Sequence, residues 1–274
     1  MKSPICWQGN KNRMLKKLLP LIPQHTTYVE VFGGGAALLF AKQPTGVEVY
    51  NDIDSDLVNF FRVVRDNFEP FYHKVSMTPY SREEYNTYRD VYRETKDPVE
   101  KAAMFFMIAR QSYASEWGVG WGYTVQESVK GMSAAVSAYL SAIDLLPQVH
   151  QRLQKVQIEN DDWKRILARY DRPETFFYLD PPYLAEQRYQ HPLAEEQHKE
   201  LIEALPHLEG KVMLSGYPNS MYGEGISWHK VEFPTANYAV SRQYTHTTGE
   251  HSLMEHHART ETVWMNYTLQ PKLF

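Results

Sequence analysis

Asp180-Pro181-Pro182-Tyr183 is the stretch of this sequence whose residue types are best suited to chemistry. It follows Phe176-Phe177-Tyr178-Leu179, an apolar run that reads as a buried strand. A carboxylate, a rigid turn and an aromatic ring therefore stand at the carboxyl end of a strand, where ligands of open α/β sheets bind. The two prolines fix φ and remove two backbone donors, so the turn offers acceptors only. Acceptors beside a stacking ring suit an exocyclic amino group on a planar base. An ordinary strand-ending turn is the competing reading, because Asp and Pro are common there.

A second cluster lies near the N-terminus. Tyr28-Val29-Glu30-Val31-Phe32 reads as a strand running into Gly33-Gly34-Gly35, with Ala36 to Ala41 as the helix behind that turn. Val47-Glu48-Val49-Tyr50 is the next strand and ends in Asn51-Asp52-Ile53-Asp54. Strand, glycine turn, helix, strand and acid, in that order, make a nucleotide-binding βαβ unit. A dinucleotide fingerprint is disfavoured, since Leu38 follows Gly35 three residues on where a small residue belongs. Hydride transfer would also leave Asp180 to Tyr183 without a role.

The elements that must position these residues fall into three blocks. After the βαβ unit, residues 57–150 turn helical. Leu57, Val58, Phe60, Phe61, Val63 and Val64 recur at helical spacing. Ser81 with Glu84 is a capping-box signal for a helix through Glu94, and Asp97-Pro98 with Glu100 starts another. Glu116-Trp117-Gly118-Val119-Gly120-Trp121-Gly122-Tyr123 is too rich in glycine for either regular structure, and reads as an aromatic-glycine loop of the insert or as a packing corner. Strands then return at Val156–Ile158, Thr175–Leu179, Lys211–Leu214, Trp228–Phe233 and Thr262–Tyr267. Helices are expected at Trp163–Tyr170 and Ala194–Leu205. This alternation implies an α/β fold with a mostly parallel sheet, helices on both faces and a helical insert.

The Asp-Pro-Pro-Tyr turn after a strand resembles the signature of amino-methyltransferases acting on adenine N6 or cytosine N4 in DNA. Glu30 to Gly35 looks like that family's S-adenosylmethionine loop, and the resemblance implies cofactor contacts from Phe32, Gly33 and Gly35. Asp52 is similar to the acid that holds the cofactor ribose. Trp7-Gln8-Gly9-Asn10-Lys11 resembles the N-terminal motif that closes over the cofactor, which implicates Trp7 and Lys11. Asn160-Asp161-Asp162-Trp163 looks like the segment whose acid, here Asp162, meets the cofactor adenine. Arg259-Thr260-Glu261, with Trp264 and Asn266, is similar to the family's last strand.

The likeness is nearest to Dam-like DNA adenine methyltransferases and covers about 1–60 and 150–274. It implies a Rossmann-like S-adenosylmethionine-dependent methyltransferase sheet, formed by 1–60 and 150–274, with a target-recognition insert at 61–149. The implied partner is double-stranded DNA, whose target base must be extruded at a cost of a few kcal/mol. Asp180, Pro181, Pro182 and Tyr183 would form the catalytic turn. The recognition segment Asn-Gly-Phe-Asn of the cellular GATC enzymes is absent near Arg110 to Tyr123, so no target sequence carries over. Cytosine N4, RNA, or an inactive DNA-binding relative are the alternatives.

Composition sets the outer bounds. Of 274 residues, 43% are hydrophobic and 23% charged, which excludes disordered and fibrous classes. No apolar run approaches the ~20 residues of a membrane helix, and Met1 to Lys17 lacks the apolar core of a secretory signal. One cysteine, Cys6, fits a reducing cytosol. The resemblance implies a cytoplasmic, monomeric protein of bacterial or bacteriophage origin in a restriction-modification setting. Net charge is −4, so charge alone does not attract DNA. Residues 1–27 nevertheless hold Lys2, Lys11, Arg13, Lys16 and Lys17 and no acid. That segment is either a phosphate-facing surface or a solvated helix face. Lys16, Lys17 and Arg110 are the expected DNA contacts. The spacing of His246, His251, His256 and His257 matches no zinc motif, and no metal is expected.

Overall fold

The computed structural model describes residues 1–125, 131–184, 191–235 and 259–269. Its strands are β1 (Thr27–Glu30), β2 (Val47–Asn51), β3 (Gln157–Glu159), β4 (Thr175–Leu179), β5 (Lys211–Gly216), β6 (His229–Thr235) and β7 (Arg259–Met265). They form one seven-stranded sheet in the order β3-β2-β1-β4-β5-β7-β6. The neighbours from β3 to β5 are parallel, and β7 runs antiparallel between β5 and β6. This is the expected Rossmann-like α/β sheet. All five residues of β4 are buried, as the continuous apolar run of a central parallel strand requires.

Alternate side chains feed opposite faces of the sheet. Tyr28, Tyr50, Phe176, Tyr178 and Met213 pack on one face. Val29, Val49, Phe177, Leu179 and Leu214 pack on the other. The first face is covered by the short helices α1 (Leu15–Leu18) and α2 (Ala37–Ala41), then by α3 (Ser55–Asp66), α4 (Phe68–Met77), α5 (Arg82–Val91), α6 (Pro98–Gln111) and α7 (Ala134–Leu153). The second is covered by α8 (Trp163–Tyr170), α9 (Glu195–Ala204) and α10 (Ser220–Gly225). Apolar side chains of α3 to α7 run without a break into the sheet's own core, and the boundaries at 60/61 and 149/150 fall inside α3 and α7.

Helix starts follow the capping signals in the sequence. Asp54 accepts from Asp56 N and Leu57 N, Ser81 from Glu84 N, and Asp97 from Glu100 N with Pro98 in the first turn. The helix begun at Ser81 stops at Val91, three residues short of the expected end. Ala36 is not helical. It sits in the left-handed region at φ 55°, completing the tight glycine turn before α2 at a cost of about 1–2 kcal/mol.

The aromatic-glycine loop folds back on the end of α6, with Tyr113 N donating to Gly120 O and Gly122 N to Gln111 O, both at 2.7 Å. Trp117 packs edge-on against Tyr92, and Trp121 lies against Tyr80 and donates to Gln111 Oε1. The tryptophans thus anchor the loop while Tyr113, Val119 and Tyr123 stay exposed.

Candidate active site

The sheet's connections reverse between β1 and β4. β1 leads to α2 on one face, whereas β4 leads to α9 on the other, which opens a crevice beyond their carboxyl ends. Glu30 stands opposite Tyr178 in the ladder, so Phe32 and Asp180 leave the sheet side by side. The glycine loop and the Asp-Pro-Pro-Tyr turn, far apart in sequence, thereby share one cleft. Its volume is about 340 Å³, and its walls include Trp7, Lys11, Phe32, Gly33, Gly35, Asp52, Asp180 and Pro182.

Gly33 and Gly35 are required by close approach. A Cβ at Gly33 would stand 2.2 Å from the Tyr50 ring, and one at Gly35 would stand 2.7 Å from Asn10 Nδ2. The N-terminal Trp7 to Lys11 segment therefore lies directly on the glycine loop. Trp7 is held there against Phe105, with ring centroids 5.3 Å apart. Asp52 closes the opposite side, its Oδ2 accepting from Gly34 N at 2.7 Å and its Oδ1 from Asp54 N at 2.9 Å. Burial raises the Asp52 pKa to about 6 against the pull of these two donors. Glu30, beneath the loop, is raised by burial to about 8, although it accepts from Tyr28 Oη and Leu39 N.

At the turn, four side chains form a closed ring. Lys11 Nζ lies 2.7 Å from Asp180 Oδ2 and 3.6 Å from Glu261 Oε1, and 5.0 Å above the Tyr183 ring. Tyr183 Oη donates to Glu261 Oε1 at 2.5 Å and is 3.2 Å from Asp180 Oδ1. Burial raises the pKa of both Asp180 and Glu261, opposed by the Lys11 ammonium. Burial works against the charge on Lys11 as well, but the two carboxylates outweigh it and raise its pKa. Lys11 thus serves the Asp-Pro-Pro-Tyr turn as well as the cleft.

The remaining expected residues are placed differently. Asp162 does not line the cleft; its carboxylate caps α8 by accepting from Lys164 N. The segment's contribution is backbone pinning. Asn51 bonds both the N–H and the carbonyl of Asp161, and Asn160 Nδ2 donates to Asp52 O, which fixes the Asp52 loop. Lys16 and Lys17 are exposed on α1, and Lys17 lies over the Phe233 ring. Arg110 is engaged inside the molecule, donating to Cys6 Sγ at 3.0 Å and to Ala138 O at 2.7 Å. It therefore ties the N-terminal segment to α7 rather than standing free beside the loop. Arg110→Ala is expected to lower the melting temperature by several degrees, the effect of losing about 1–2 kcal/mol, with DNA affinity little changed. Calorimetry and a DNA titration of the variant check this, and unchanged melting with weakened DNA binding would reverse the assignment.

Glu30 and Glu261 were not among the expected site residues. An acid inside the otherwise apolar strand from Tyr28 to Phe32 was a readable signal for the first, since a buried charge needs a reason. No spacing links Glu261 to Asp180; only the sheet order does. The metal reading of His246 to His257 falls outside the described residues. Among the described residues no cluster of three His, Cys, Asp or Glu side chains suits a metal ion, and no helix is long and apolar enough to cross a membrane.

A Rossmann-like sheet whose acid-and-glycine cleft meets an Asp-Pro-Pro-Tyr turn defines a methyltransferase that acts on an amino group. The sequence profile of the D12 class N6 adenine-specific DNA methyltransferases matches residues 7–240, and the chain belongs to that family. It is thus an adenine-specific DNA methyltransferase by family, and such enzymes use S-adenosylmethionine.

The chain is 25% identical over 267 residues to the type II methyltransferase M1.LlaDCHI of Lactococcus lactis subsp. cremoris, covering 86% of this chain and 89% of that protein. Modification methylase LlaI of Lactococcus lactis subsp. lactis is 24% identical over 67% of this chain and 30% of its own length. The type II methyltransferase M.MjaIII of Methanocaldococcus jannaschii is 24% identical over 65% of this chain and 67% of its own.

The cleft suits this cofactor chemically. Two buried donors on its wall, Asn10 Nδ2 and Trp117 Nε1, have no hydrogen-bond partner among the described residues. Unpaired donors suit a carboxylate, and acids such as Glu30 and Asp52 suit a sulfonium, an ammonium and ribose hydroxyls.

Proposed function

We propose that the protein methylates adenine N6 at a specific sequence in double-stranded DNA, on a base extruded from the duplex. The observation that carries this reading is the turn itself, with Asp180 and Pro182 on the cofactor cleft and Tyr183 beside it. Bound S-adenosylmethionine supplies an electrophilic methyl group on a sulfonium that leaves readily. The chain's own residues do the rest. Tyr183 stacks on the extruded base, and the Asp180 carboxylate and the Pro181 carbonyl accept the two amino hydrogens. Those bonds turn the nitrogen lone pair toward the cleft. Catalysis comes from positioning and electrostatics.

Phe32, Gly33, Gly35, Trp7 and Lys11 enclose the cofactor, and Asp52 takes its ribose hydroxyls. Residues 61–149 carry target recognition, with Lys16 and Lys17 on the phosphate backbone. The enzyme acts as a monomer, and the names of the type II relatives support a place within a restriction-modification pair.

Incubation with plasmid DNA and S-adenosylmethionine, followed by sequencing for N6-methyladenine, tests the reading. Methyl groups at one recurrent sequence are expected; methylated cytosine in the plasmid, or methylation of RNA in a parallel incubation and not of the plasmid, would replace the reading. Asp52→Ala is expected to weaken S-adenosylmethionine binding at least tenfold by calorimetry, since a charge-assisted pair of hydrogen bonds is worth about 1.5–3 kcal/mol. Unchanged affinity would move the ribose contact elsewhere.

A further inference from the structure

Tyr183 has one phenolic proton and two carboxylates that compete for it. Its Oη lies 2.5 Å from Glu261 Oε1 and 3.2 Å from Asp180 Oδ1. The first distance is that of a charge-assisted bond, and the second lies beyond the usual O–H···O range of about 2.5–3.0 Å. Burial, aided by both carboxylates, holds the Tyr183 pKa well above the ordinary tyrosine value, so the phenol keeps its proton. That proton therefore belongs to Glu261.

Asp180 gains from the arrangement. Its Oδ2 is taken by the Lys11 ammonium at 2.7 Å. Its Oδ1 is the remaining acceptor, and among the described residues the Tyr183 hydroxyl is the donor within reach of it. Glu261, for its part, has no local reason to be an acid. It is 5% exposed, and Thr262, Val263, Trp264 and Met265 after it on β7 are buried too. Burial raises its pKa, so its charge is kept at a cost to stability. It is not part of the cofactor cleft's wall, and its closest partner is the phenol of the turn.

We infer that Glu261 is a positioning residue for methyl transfer: by taking the Tyr183 proton, it keeps Asp180 Oδ1 open to the amino group of the target base. The inference rests on the methyltransferase reading above, in which Asp180 accepts from that amino group. Lys11 and Glu261 divide the work. Lys11 fixes the carboxylate through one oxygen, and Glu261 clears the other. Without Glu261 the Tyr183 hydroxyl turns to Asp180 Oδ1, and the substrate amine must displace it.

The test is single-turnover methylation of a duplex carrying the mapped target sequence. Wild type is compared with Glu261→Leu, Glu261→Gln, Tyr183→Phe and the double variant Glu261→Leu/Tyr183→Phe. Glu261→Leu should slow transfer about tenfold, the effect of one competing hydrogen bond. Removing the hydroxyl as well should reverse most of that loss, so the double variant is faster than Glu261→Leu alone. A second substitution that restores rate is a signature that a merely structural role does not produce. Glu261→Gln keeps an acceptor for the phenol and should run well ahead of Glu261→Leu. S-adenosylmethionine affinity should be the same in every variant by calorimetry, since neither Glu261 nor Tyr183 lines the cleft.

A double variant no faster than Glu261→Leu would overturn the inference, as would an unchanged rate in Glu261→Leu. Tyr183→Phe should be modestly slower than wild type, because the stacking ring loses its tether to Glu261. A Tyr183→Phe faster than wild type would show that the phenol already blocks Asp180, and that result needs no variant at Glu261 to fold. Absence of N6-methyladenine from every DNA at the mapping stage is a different failure, since it removes the methyltransferase reading itself.

Discussion

In a single-turnover assay, Asp180→Ala is expected to slow methyl transfer by roughly 100- to 1,000-fold while S-adenosylmethionine still binds. That is the loss typical of one charged hydrogen-bond acceptor in a water-excluded site, about 2.7–4 kcal/mol. The variant should fold, because its neighbours retain partners. Lys11 keeps Glu261 and the Gly9 carbonyl, and Tyr183 Oη keeps Glu261. Rapid quench with labelled cofactor measures the rate, and calorimetry measures binding. Near-normal turnover would remove Asp180 from the chemistry. Loss of cofactor binding instead would make it a cleft residue only.

Lys11→Met should have a second large effect, with a pH signature. Lys11 holds two buried carboxylates together, and removing one member of such a cluster typically costs about 3–5 kcal/mol. Without the ammonium, Asp180 and Glu261 face each other through Tyr183, and like charges so placed draw in a proton. Both pKa values, already raised by burial, then rise further. An acid whose pKa is higher folded than unfolded binds more protons when folded, so stability falls as pH rises from the unfolded carboxyl range through the folded pKa. The melting-temperature gap between variant and wild type should therefore widen with pH. Methyl transfer should move the other way, climbing with pH as Asp180 regains its charge. Melting curves and single-turnover rates between about pH 5.5 and 8.5 check both. A gap that does not change with pH would show that the pair is not coupled through Lys11.

The same pair of predictions shows why the site was only partly legible. Asp180 stands out in the sequence because prolines and a tyrosine follow it directly, and local backbone chemistry needs no distant partner to be recognised. Lys11 was traced to the cofactor through its N-terminal motif, yet its nearest carboxylate lies 169 residues away. Glu261 meets the turn only because β7 is inserted antiparallel beside β5.

What the sequence by itself determined is the set of local events. The apolar runs that became β1, β2, β4 and β5, the caps at Ser81 and Asp97, the glycine turn, and the order of motifs that marks the family all depend on residues within a few positions of one another. The tertiary structure decided which partners those groups found. Asp162 became a helix cap instead of a cleft residue because α8 begins at Trp163 and its first turn needs an acceptor. Arg110 was drawn to Cys6 and Ala138 because α7 packs against the end of α6. His198 lost its ring freedom to Tyr222 from α10. The physical reason is the same in each case. A charged or polar side chain takes the nearest group that offsets its desolvation, and nearness is set by packing across the sheet rather than by distance along the chain.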